Sequence, residues 1–236
     1  MSLPRVSVVM SVYNGGEHLK DAVKSILDQS FAAFEFIIIN DGSTDGSEAV
    51  INGFSDPRIR LVSRENKGLV YSLNQGIELA QTDLIVRMDA DDVAAPDRLE
   101  KQLHYLDEHP EISLVGSWAK TIDSVGSVTG EYNYPPVSYG KIKAYAIIHN
   151  PFIHPTVMFR KTAIVSVGGY NPRYKHIEDY ELWSRVLNRY QGANLPEHLL
   201  FYRLSGQGIT KSHNLEMRLK GLVVRLLVIK RLFLHY

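Results

Sequence analysis

The chain has 236 residues, with 26 lysines and arginines, 26 aspartates and glutamates, nine histidines and no cysteine. Hydrophobic residues at 44% and charged residues at 22% are ordinary for a globular domain, which excludes a disordered or fibrous protein. The formal net charge of zero argues against a general nucleic-acid-binding protein, and the lack of cysteine excludes disulfides, thiolate zinc sites and a cysteine nucleophile.

No targeting segment is recognisable in the sequence. The first residues lack the basic-then-apolar pattern of a signal peptide, and the apolar stretch at residues 144–159 is interrupted by Pro151 and Pro155. That stretch is also too short to span a bilayer. We therefore expect a soluble protein, or a soluble domain of a longer one, in a reducing compartment such as the cytoplasm.

The first half of the chain alternates predicted strands and helices. Residues 6–12 (VSVVMSV) form a β-branched run that predicts a buried strand ending in a turn. Similar runs follow at residues 34–39, 58–63 and 83–88. Apolar residues at helical spacing predict helices that begin near residues 19, 44, 69 and 96. This alternation predicts an α/β fold, with a central, mostly parallel sheet flanked by helices and joined by right-handed crossovers.

The second half is less regular. Residues 113–122 and 156–160 predict strands, and residues 126–139, rich in glycine, proline and tyrosine, predict a loop or hairpin. An apolar stripe that begins near Glu178 predicts a helix. No linker divides the halves, so we expect one compact domain with an irregular C-terminal region.

Polar residues follow several of the predicted strands, where ligands of open parallel sheets bind. Tyr13 follows the first strand, Asp41 the second, and Asp89, Asp91 and Asp92 the fourth. The glycine fingerprint of dinucleotide sites and the phosphate loop with its Gly-Lys-Ser/Thr ending are both missing. A bound phosphate would therefore need another source of positive charge.

The three aspartates could supply that charge indirectly. Carboxylates about 4 Å apart repel by about 4 kcal/mol near a protein surface, and a divalent cation such as Mg²⁺ or Mn²⁺ removes this penalty. The alternative is a solvated turn, in which Asp92 or a neighbour helps to cap the helix near Pro96. Spacing alone does not decide between the two.

Four other residues each allow a binding role and a structural role. Asp41 could accept a hydrogen bond from a ligand such as the imide of uracil, or simply complete a turn. Tyr13 could support a base or lie at the core edge. Asp179 starts an apolar stripe, which favours an inward carboxylate that could act as a general base, but acids also favour a helix N-terminus. His154, beside Pro155, is structural or contacts a substrate.

Five segments occur in a specific order and spacing. They are residues 6–14 (VSVVMSVYN), 39–47 (INDGSTDGS), 66–68 (NKG), 87–92 (RMDADD) and 178–183 (EDYELW). In this combination the chain resembles the inverting family 2 glycosyltransferases of the GT-A fold, particularly bacterial enzymes that build surface polysaccharides. The resemblance extends from about residue 6 to residue 203.

The resemblance implies donor-binding roles for residues of the first half. Tyr13 and Asp41 would hold the uracil of a nucleotide sugar, and Lys67 would also bind the donor. Asp89 would contact the ribose near the metal, and Asp91 would bind a Mg²⁺ or Mn²⁺ ion that bridges the diphosphate.

In the second half, the resemblance implies catalytic and acceptor-binding roles. Asp179 would be the general base, and Glu178 and His154 would help to bind the acceptor. The implied reaction moves a sugar from a nucleotide-diphosphate sugar, such as a UDP-sugar, to a hydroxyl of a saccharide or lipid-linked acceptor, with inversion.

Two other functional classes remain open. A nucleotidyltransferase would normally carry a glycine-rich loop with a basic residue near the N-terminus. The turn at residues 13–17 (YNGGE) contains no basic residue. A non-catalytic nucleotide-sugar-binding module would not need both Asp91 and Asp179. The Gln-x-x-Arg-Trp motif of processive family members is also absent, since residues 207–210 read QGIT.

The resemblance implies a single Rossmann-like GT-A domain at residues 1–210, with a nucleotide-binding half at about 1–110 and an acceptor-binding half at 111–210. The tail, residues 211–236, contains six lysines and arginines and one glutamate, so its charge is +5 and that of residues 1–210 is −5. This composition predicts a basic, apolar helix. It could lie on the inner face of the cell membrane, pack on the core, form a homodimer, or be the cut end of a longer chain.

Overall fold

The computed structural model describes residues 3–204 and 215–233. The segment at residues 207–210, and the first four residues of the tail, lie outside the described residues.

Four parallel strands form the first half of a mixed sheet. They are β1 (Val6–Val12), β2 (Phe34–Asp41), β3 (Ile59–Arg64) and β4 (Leu84–Met88). Their order is β3-β2-β1-β4, and each pair is parallel, as the strand–helix alternation predicts. The helices of this half are α1 (Leu19–Leu27), α2 (Ser47–Asn52), α3 (Leu69–Leu79) and α4 (Arg98–Glu108). All four strands therefore end at the same edge of the sheet.

The strands of the second half extend this sheet in mixed directions. They are β5 (Val93–Ala94), β6 (Ile112–Ile122), β7 (Val128–Tyr132), β8 (Met158–Arg160) and β9 (Gln191–Arg203). The order continues β4-β8-β6-β9-β5, with β7 beside β6. Strand β8 is antiparallel to both neighbours, whereas β9 is parallel to β6. The mostly parallel arrangement therefore holds for the first half, and the second half adds antiparallel pairs.

Strand β9 is the main element that the sequence did not predict. Its pairing with β6 steps from Leu195 opposite Ser117 to His198 opposite Trp118, which leaves Pro196 and Glu197 in a bulge. A proline lacks the N–H that a ladder needs and is tolerated at such a bulge. The strand is therefore long, but its sequence pattern is broken in the middle.

The remaining helices are α5 (Tyr139–Tyr145), α6 (Lys161–Ser166), α7 (Glu178–Arg189) and α8 (Leu215–Phe233). The predicted loop or hairpin is a hairpin of β6 and β7, and α5 begins at its end. Helix α7 begins at the residue where the apolar stripe begins. No helix among the described residues has the length and apolar character needed to cross a membrane.

Two layers of buried apolar residues lie on opposite faces of the sheet, because alternate residues of a strand point to opposite sides. In β1, Val8 and Met10 belong to the layer that includes α1 and α4. Val9 belongs to the layer that includes α3 and α7. This double cover makes the sheet a firm support for the residues at its edge.

Helix α8 packs on α7 along one face only. Val224 and Val228 are fully buried in the layer that contains α7. On its exposed side, Leu222, Val223 and Leu226 retain about half of their accessible surface, at 53%, 48% and 59%. Helix α8 therefore packs on the core and also presents an apolar outer face in its described part.

Candidate active site

The carboxyl ends of the parallel strands open into a cavity of about 1150 Å³ that is lined by residues of both halves. The cavity lining includes every site residue that the sequence predicted: Tyr13, Asp41, Lys67, Asp89, Asp91, His154, Glu178 and Asp179. A second cavity of about 620 Å³, beside α1 and the turn between β6 and β7, is lined by none of them. The fold therefore gathers the predicted residues, distant in sequence, around one space.

Asp41 ends β2 and organises the neighbouring loop. Its buried carboxylate forms an ion pair with Arg64 and accepts the backbone N–H groups of Lys67 at 2.8 Å and Gly68 at 2.9 Å. The Asn66 side chain donates to the Asp41 carbonyl at 2.9 Å. A carboxylate has about four acceptor positions, so one remains after these three bonds. Asp41 therefore fixes residues 66–68 rather than only completing its own turn.

The turns after β1 and β2 are tied to each other. Asn14 has the left-handed backbone angle φ of 51°. Its side-chain oxygen accepts the backbone N–H of Thr44 at 2.8 Å, and its own N–H donates to the Ser43 hydroxyl at 3.0 Å. Tyr13 precedes this link, and 57% of its surface is exposed. Its ring is therefore an accessible surface on a braced turn and does not belong to the core.

Lys67 lies at the rim of the cavity. Its ammonium nitrogen is 5.2 Å from the centre of the Tyr71 ring and 3.6 Å from a carboxylate oxygen of Glu65. The Arg64 guanidinium also lies over Tyr71, at 4.6 Å from the ring centre. Of these two cations, Lys67 lines the cavity, whereas Arg64 supports Asp41 from behind the lining.

The acidic loop, residues 89–92, follows β4 and brings three carboxylates together. Asp89, Asp91 and Asp92 each offer an oxygen, and these oxygens lie within 4.8 Å of one another. Burial and the Asp89 carboxylate raise the pKa of Asp91. The same two causes raise the pKa of Asp92 well above its ordinary value. The loop thus concentrates the negative charge of three carboxylates, and the raised pKa values of Asp91 and Asp92 show that nearby cations do not fully compensate it.

Two buried arginines support the acidic loop from below. Arg87 on β4 forms an ion pair with Asp89. Arg98 on α4 is fully buried and donates to the Arg87 carbonyl at 2.9 Å. Burial lowers the pKa of Arg98 to about 9, although the nearby Asp92 carboxylate opposes this shift. The loop therefore lies beside two buried arginine side chains, Arg87 from β4 and Arg98 from α4.

A third arginine secures the other end of the loop. The backbone N–H of Arg203, the last residue of β9, donates to Asp92 at 2.8 Å. Its guanidinium donates to the Asp91 carbonyl at 2.8 Å. Asp92 is 1% exposed, and the side chain of Asp97, the residue before α4, makes no capping bond. The alternative of a solvated turn with Asp92 as a helix cap is therefore wrong.

The donor set of the acidic loop fits a hard divalent cation. All three candidate ligands are carboxylate oxygens, which Mg²⁺ and Mn²⁺ prefer. Asp89 is paired with Arg87, and Asp92 is buried against Arg203. Among the described residues, Asp91 forms no salt bridge, and it lines the cavity. Asp91 is therefore the carboxylate best able to bind such an ion.

Glu178 and Asp179 begin α7 and line the same cavity as the acidic loop. Asp179 accepts the Asn150 side-chain N–H at 2.6 Å and the Tyr180 backbone N–H at 2.7 Å. Burial and the Glu178 carboxylate raise the pKa of Asp179 to about 6. Burial also raises the pKa of Glu178, one of whose oxygens is buried without a partner. This carboxylate pair is oriented and binds protons more readily than ordinary acids.

His154 lies in a short 3-10 helix in the cavity wall. Its Nε2 atom is 2.8 Å from the Tyr170 hydroxyl, and its ring packs against Tyr170 and Trp183. Burial, with the nearby Arg87, lowers its pKa well below the ordinary value. His154 is therefore neutral and packed in place, as the structural alternative predicts, and it also lines the cavity; its contact with a substrate stays a prediction.

Sequence reasoning assigned no role to four residues of the site: Arg64, Arg87, Asn150 and Arg203. Arg87 had a detectable signal, because it is the charged residue in an otherwise apolar strand, LIVRM. The others had none, since their partners lie far away in the chain.

Comparison with known proteins gives a consistent result. Residues 7–201 match the protein family described as glycosyl transferase family 2. The chain is 33% identical over 211 residues to the amylovoran biosynthesis glycosyltransferase AmsE of Erwinia amylovora, covering 87% of this chain and 78% of AmsE. It is 34% identical over 216 residues to the O-antigen biosynthesis glycosyltransferase WbnJ of Escherichia coli, covering 89% and 84%.

Solved structures share the fold. S. aureus TarS in complex with UDP-GlcNAc matches with a TM-score of 0.79 at 16% identity, over 98% of this chain and 68% of TarS. The mannosyltransferase PcManGT of Pyrobaculum calidifontis, in complex with GDP-Man and Mn²⁺, matches with a TM-score of 0.68 at 19% identity, over 88% and 59%. These likenesses confirm the predicted GT-A architecture.

The raised pKa of Asp179 predicts a gain of stability when its charge is removed. The folded-state pKa of about 6 exceeds the ordinary value of 3.8, so ionised Asp179 destabilises the folded state above about pH 6. We expect Asp179→Asn to stabilise the protein at pH 8 by up to about 3 kcal/mol, since each pKa unit is worth about 1.4 kcal/mol, and the gain to shrink as the pH falls through 6 towards 4. Thermal unfolding at both pH values measures this, with the exposed Asp21→Asn as control. A lower melting temperature for Asp179→Asn at pH 8 would contradict it.

Proposed function

Because the chain belongs to glycosyl transferase family 2, we propose that it moves a sugar from a nucleotide-diphosphate sugar, a UDP-sugar, to a hydroxyl of a saccharide or lipid-linked acceptor, with inversion. The single observation that carries this proposal is the cavity itself. Its lining combines Asp89 and Asp91 of the acidic loop with the oriented carboxylate of Asp179. The glycosyltransferase relatives for amylovoran and O-antigen biosynthesis support a surface polysaccharide as the product.

The donor's nucleotide binds in the first half in this proposal. The exposed ring of Tyr13 stacks on the uracil, and the remaining acceptor position of Asp41 receives the imide N–H. Lys67 supplies positive charge, and Asp89 receives a ribose hydroxyl. The rigid network around Asp41 supports this role, because a group that recognises a base must be held in place.

Asp91 holds the divalent cation, with Asp89 and Asp92 completing the negative field. When bound, Mg²⁺ or Mn²⁺ supplies Lewis acidity toward the donor's diphosphate. The protein's own contribution is the fixed loop, held by Arg87 and Arg203, which keeps Asp91 directed at the cavity. The complex of PcManGT with GDP-Man and Mn²⁺ supports a manganese or magnesium ion here.

Asp179 acts as the general base. A new bond forms between the acceptor oxygen and the anomeric carbon, while the bond from that carbon to the diphosphate oxygen breaks. The acceptor proton moves to Asp179, and the nucleoside diphosphate leaves with the bonding electrons. Attack from the face opposite the leaving group inverts the anomeric centre. Glu178 and His154 hold the acceptor beside the base, and Asn150 orients its carboxylate.

The alternative classes receive less support from the site. A non-catalytic binding module does not need an oriented carboxylate with a raised pKa facing the donor site, which Asp179 provides. A nucleotidyltransferase would place cationic groups in the first turn, and Gly15 and Gly16 occupy it instead.

We propose that the protein is cytoplasmic and that α8 binds it to the inner face of the cell membrane. Leu222, Val223 and Leu226 form an exposed apolar face on this helix, and residues 211–236 carry a net charge of +5. An apolar face with adjacent lysines and arginines binds anionic lipid surfaces. A homodimer through the same face is the alternative.

The donor prediction is tested with a panel of nucleotide sugars and Mn²⁺, scored for hydrolysis and for thermal stabilisation. We expect one UDP-sugar to stabilise the protein and to be hydrolysed slowly. Asp91→Ala should lose metal-dependent UDP binding by calorimetry, because it removes the carboxylate best able to hold the ion. Unchanged UDP affinity in this variant would exclude Asp91 as the metal ligand.

The base prediction concerns the pH dependence of transfer. Only ionised Asp179 can accept the proton, so kcat/KM should fall about tenfold per unit as the pH drops below about 6. Asp179→Asn should lose about 10²–10⁴-fold in transfer and keep donor binding. Transfer by Asp179→Asn at a rate near that of the wild type would show that another group is the base.

The membrane prediction is tested by flotation with phosphatidylglycerol-containing vesicles. The double variant Leu222→Ser/Leu226→Ser should stay in the unbound fraction, because it replaces the exposed apolar face. Val165→Ser, at a position on α6 that is 57% exposed, is the matched control and should still float. Failure of the wild type to float, together with a dimer mass in sedimentation, would favour the homodimer.

A further inference from the structure

Three tyrosines of the second half line the cavity, and one of them, Tyr132, is in ring contact with the other two. Tyr132 ends β7, Tyr134 follows it in the loop, and Tyr202 lies near the end of β9. The ring centres of Tyr132 and Tyr134 are 5.7 Å apart with an edge-on angle of 67°. Those of Tyr132 and Tyr202 are also 5.7 Å apart. We call these three residues the tyrosine platform.

The platform is held by regular structure. The Trp118 indole N–H donates to the carbonyl of Pro135, the residue after Tyr134, at 3.1 Å. Tyr202 precedes Arg203, whose backbone is bonded to Asp92 of the acidic loop. The rings are therefore positioned before any ligand arrives, which reduces the entropy lost on binding.

Tyr134 nevertheless remains 56% exposed. A large aromatic ring that stays in contact with water at a cavity wall is available for a ligand with an apolar surface. Elsewhere in the cavity lining, Lys67 lies over the ring of Tyr71. No lysine or arginine in the described part of the chain lies over the rings of Tyr132 and Tyr134. These rings offer uncharged aromatic surface, which suits a ligand with apolar C–H groups.

We propose that the tyrosine platform binds a pyranose ring of the acceptor and so selects a saccharide acceptor. This inference rests on the proposed function. An acceptor hydroxyl must reach Asp179, which belongs to the second half, so the body of the acceptor lies against the wall of that half. A pyranose presents C–H groups on its faces and hydroxyls at its edge. The C–H face packs on the Tyr134 ring, which leaves the edge hydroxyls directed at Asp179 and Glu178.

The test uses methyl pyranosides of glucose, galactose and N-acetylglucosamine as acceptors, and glycerol as a non-sugar alcohol, with the donor found in the panel above. Saturation-transfer NMR with UDP and Mg²⁺ measures binding independently of turnover. We expect strong transfer of saturation to ring C–H protons of at least one pyranoside. Tyr134→Ala should weaken this signal and raise the acceptor KM about tenfold, the effect of losing one aromatic contact.

Three further variants separate ring contact from general structure. Tyr134→Leu keeps apolar bulk and should resemble Tyr134→Ala, whereas Tyr134→Phe keeps the ring and should restore the acceptor KM. Val128→Ala changes an exposed residue of the same hairpin that does not line the cavity, and it should leave the acceptor KM unchanged. Circular dichroism shows whether each variant is folded.

The outcomes distinguish this inference from the proposed function. Failure of the wild type to bind or hydrolyse any nucleotide sugar would overturn both. Donor hydrolysis with an acceptor KM that changes less than twofold in Tyr134→Ala and Tyr134→Leu would overturn the platform alone. Equal use of glycerol and the pyranosides would also overturn it, because a stacking surface must favour rings.

Discussion

The site depends on the compensation of negative charge at one edge of the sheet. Three aspartates follow β4, and burial makes their mutual repulsion more costly than it is in water. Arg87, Arg98 and Arg203 limit this cost, because they pair with a carboxylate or support the backbone of the loop. None of the three neutralises Asp91 directly. The protein thus balances the loop enough to fold and leaves a deficit of positive charge facing the cavity.

The two sides of the cavity use different means to achieve rigidity. On the first side, four parallel strands end together, and Asp41 and Asn14 connect the turns that follow them. On the second side, antiparallel pairs, a bulged strand and short helices present His154, Glu178 and Asp179. The ladder of the parallel sheet fixes the strand ends on the first side. Side-chain contacts such as those of Asn150 with Asp179 and of Tyr170 with His154 fix the groups on the second side.

The sequence predicted the elements whose signals are local. The β-branched run predicted the first residue of β1, and the apolar stripe predicted the first residue of α7. The positions of Asp41 and Asp91 at strand ends predicted that both lie at the carboxyl edge of the sheet. Strand β9 was missed because Pro196 and Glu197 interrupt its pattern at a bulge. Arg203 and Asn150 could not be identified either, because their partners, Asp92 and Asp179, are distant in sequence. The residues next to them in the chain therefore give no sign of these contacts. The mixed direction of the second half was hidden for the same reason: strand pairing is set by contacts between distant segments.

The bond between Arg203 and Asp92 joins residues separated by 111 positions. During synthesis from the N-terminus, the first four strands and the acidic loop leave the ribosome long before β9 does. The nascent loop therefore passes through a period in which its charges repel without the strand that completes its support. Parallel sheets with such distant contacts assemble slowly. A chain that stops before β9 has the whole acidic motif but lacks the segment that shapes it, so the motif alone does not make the site.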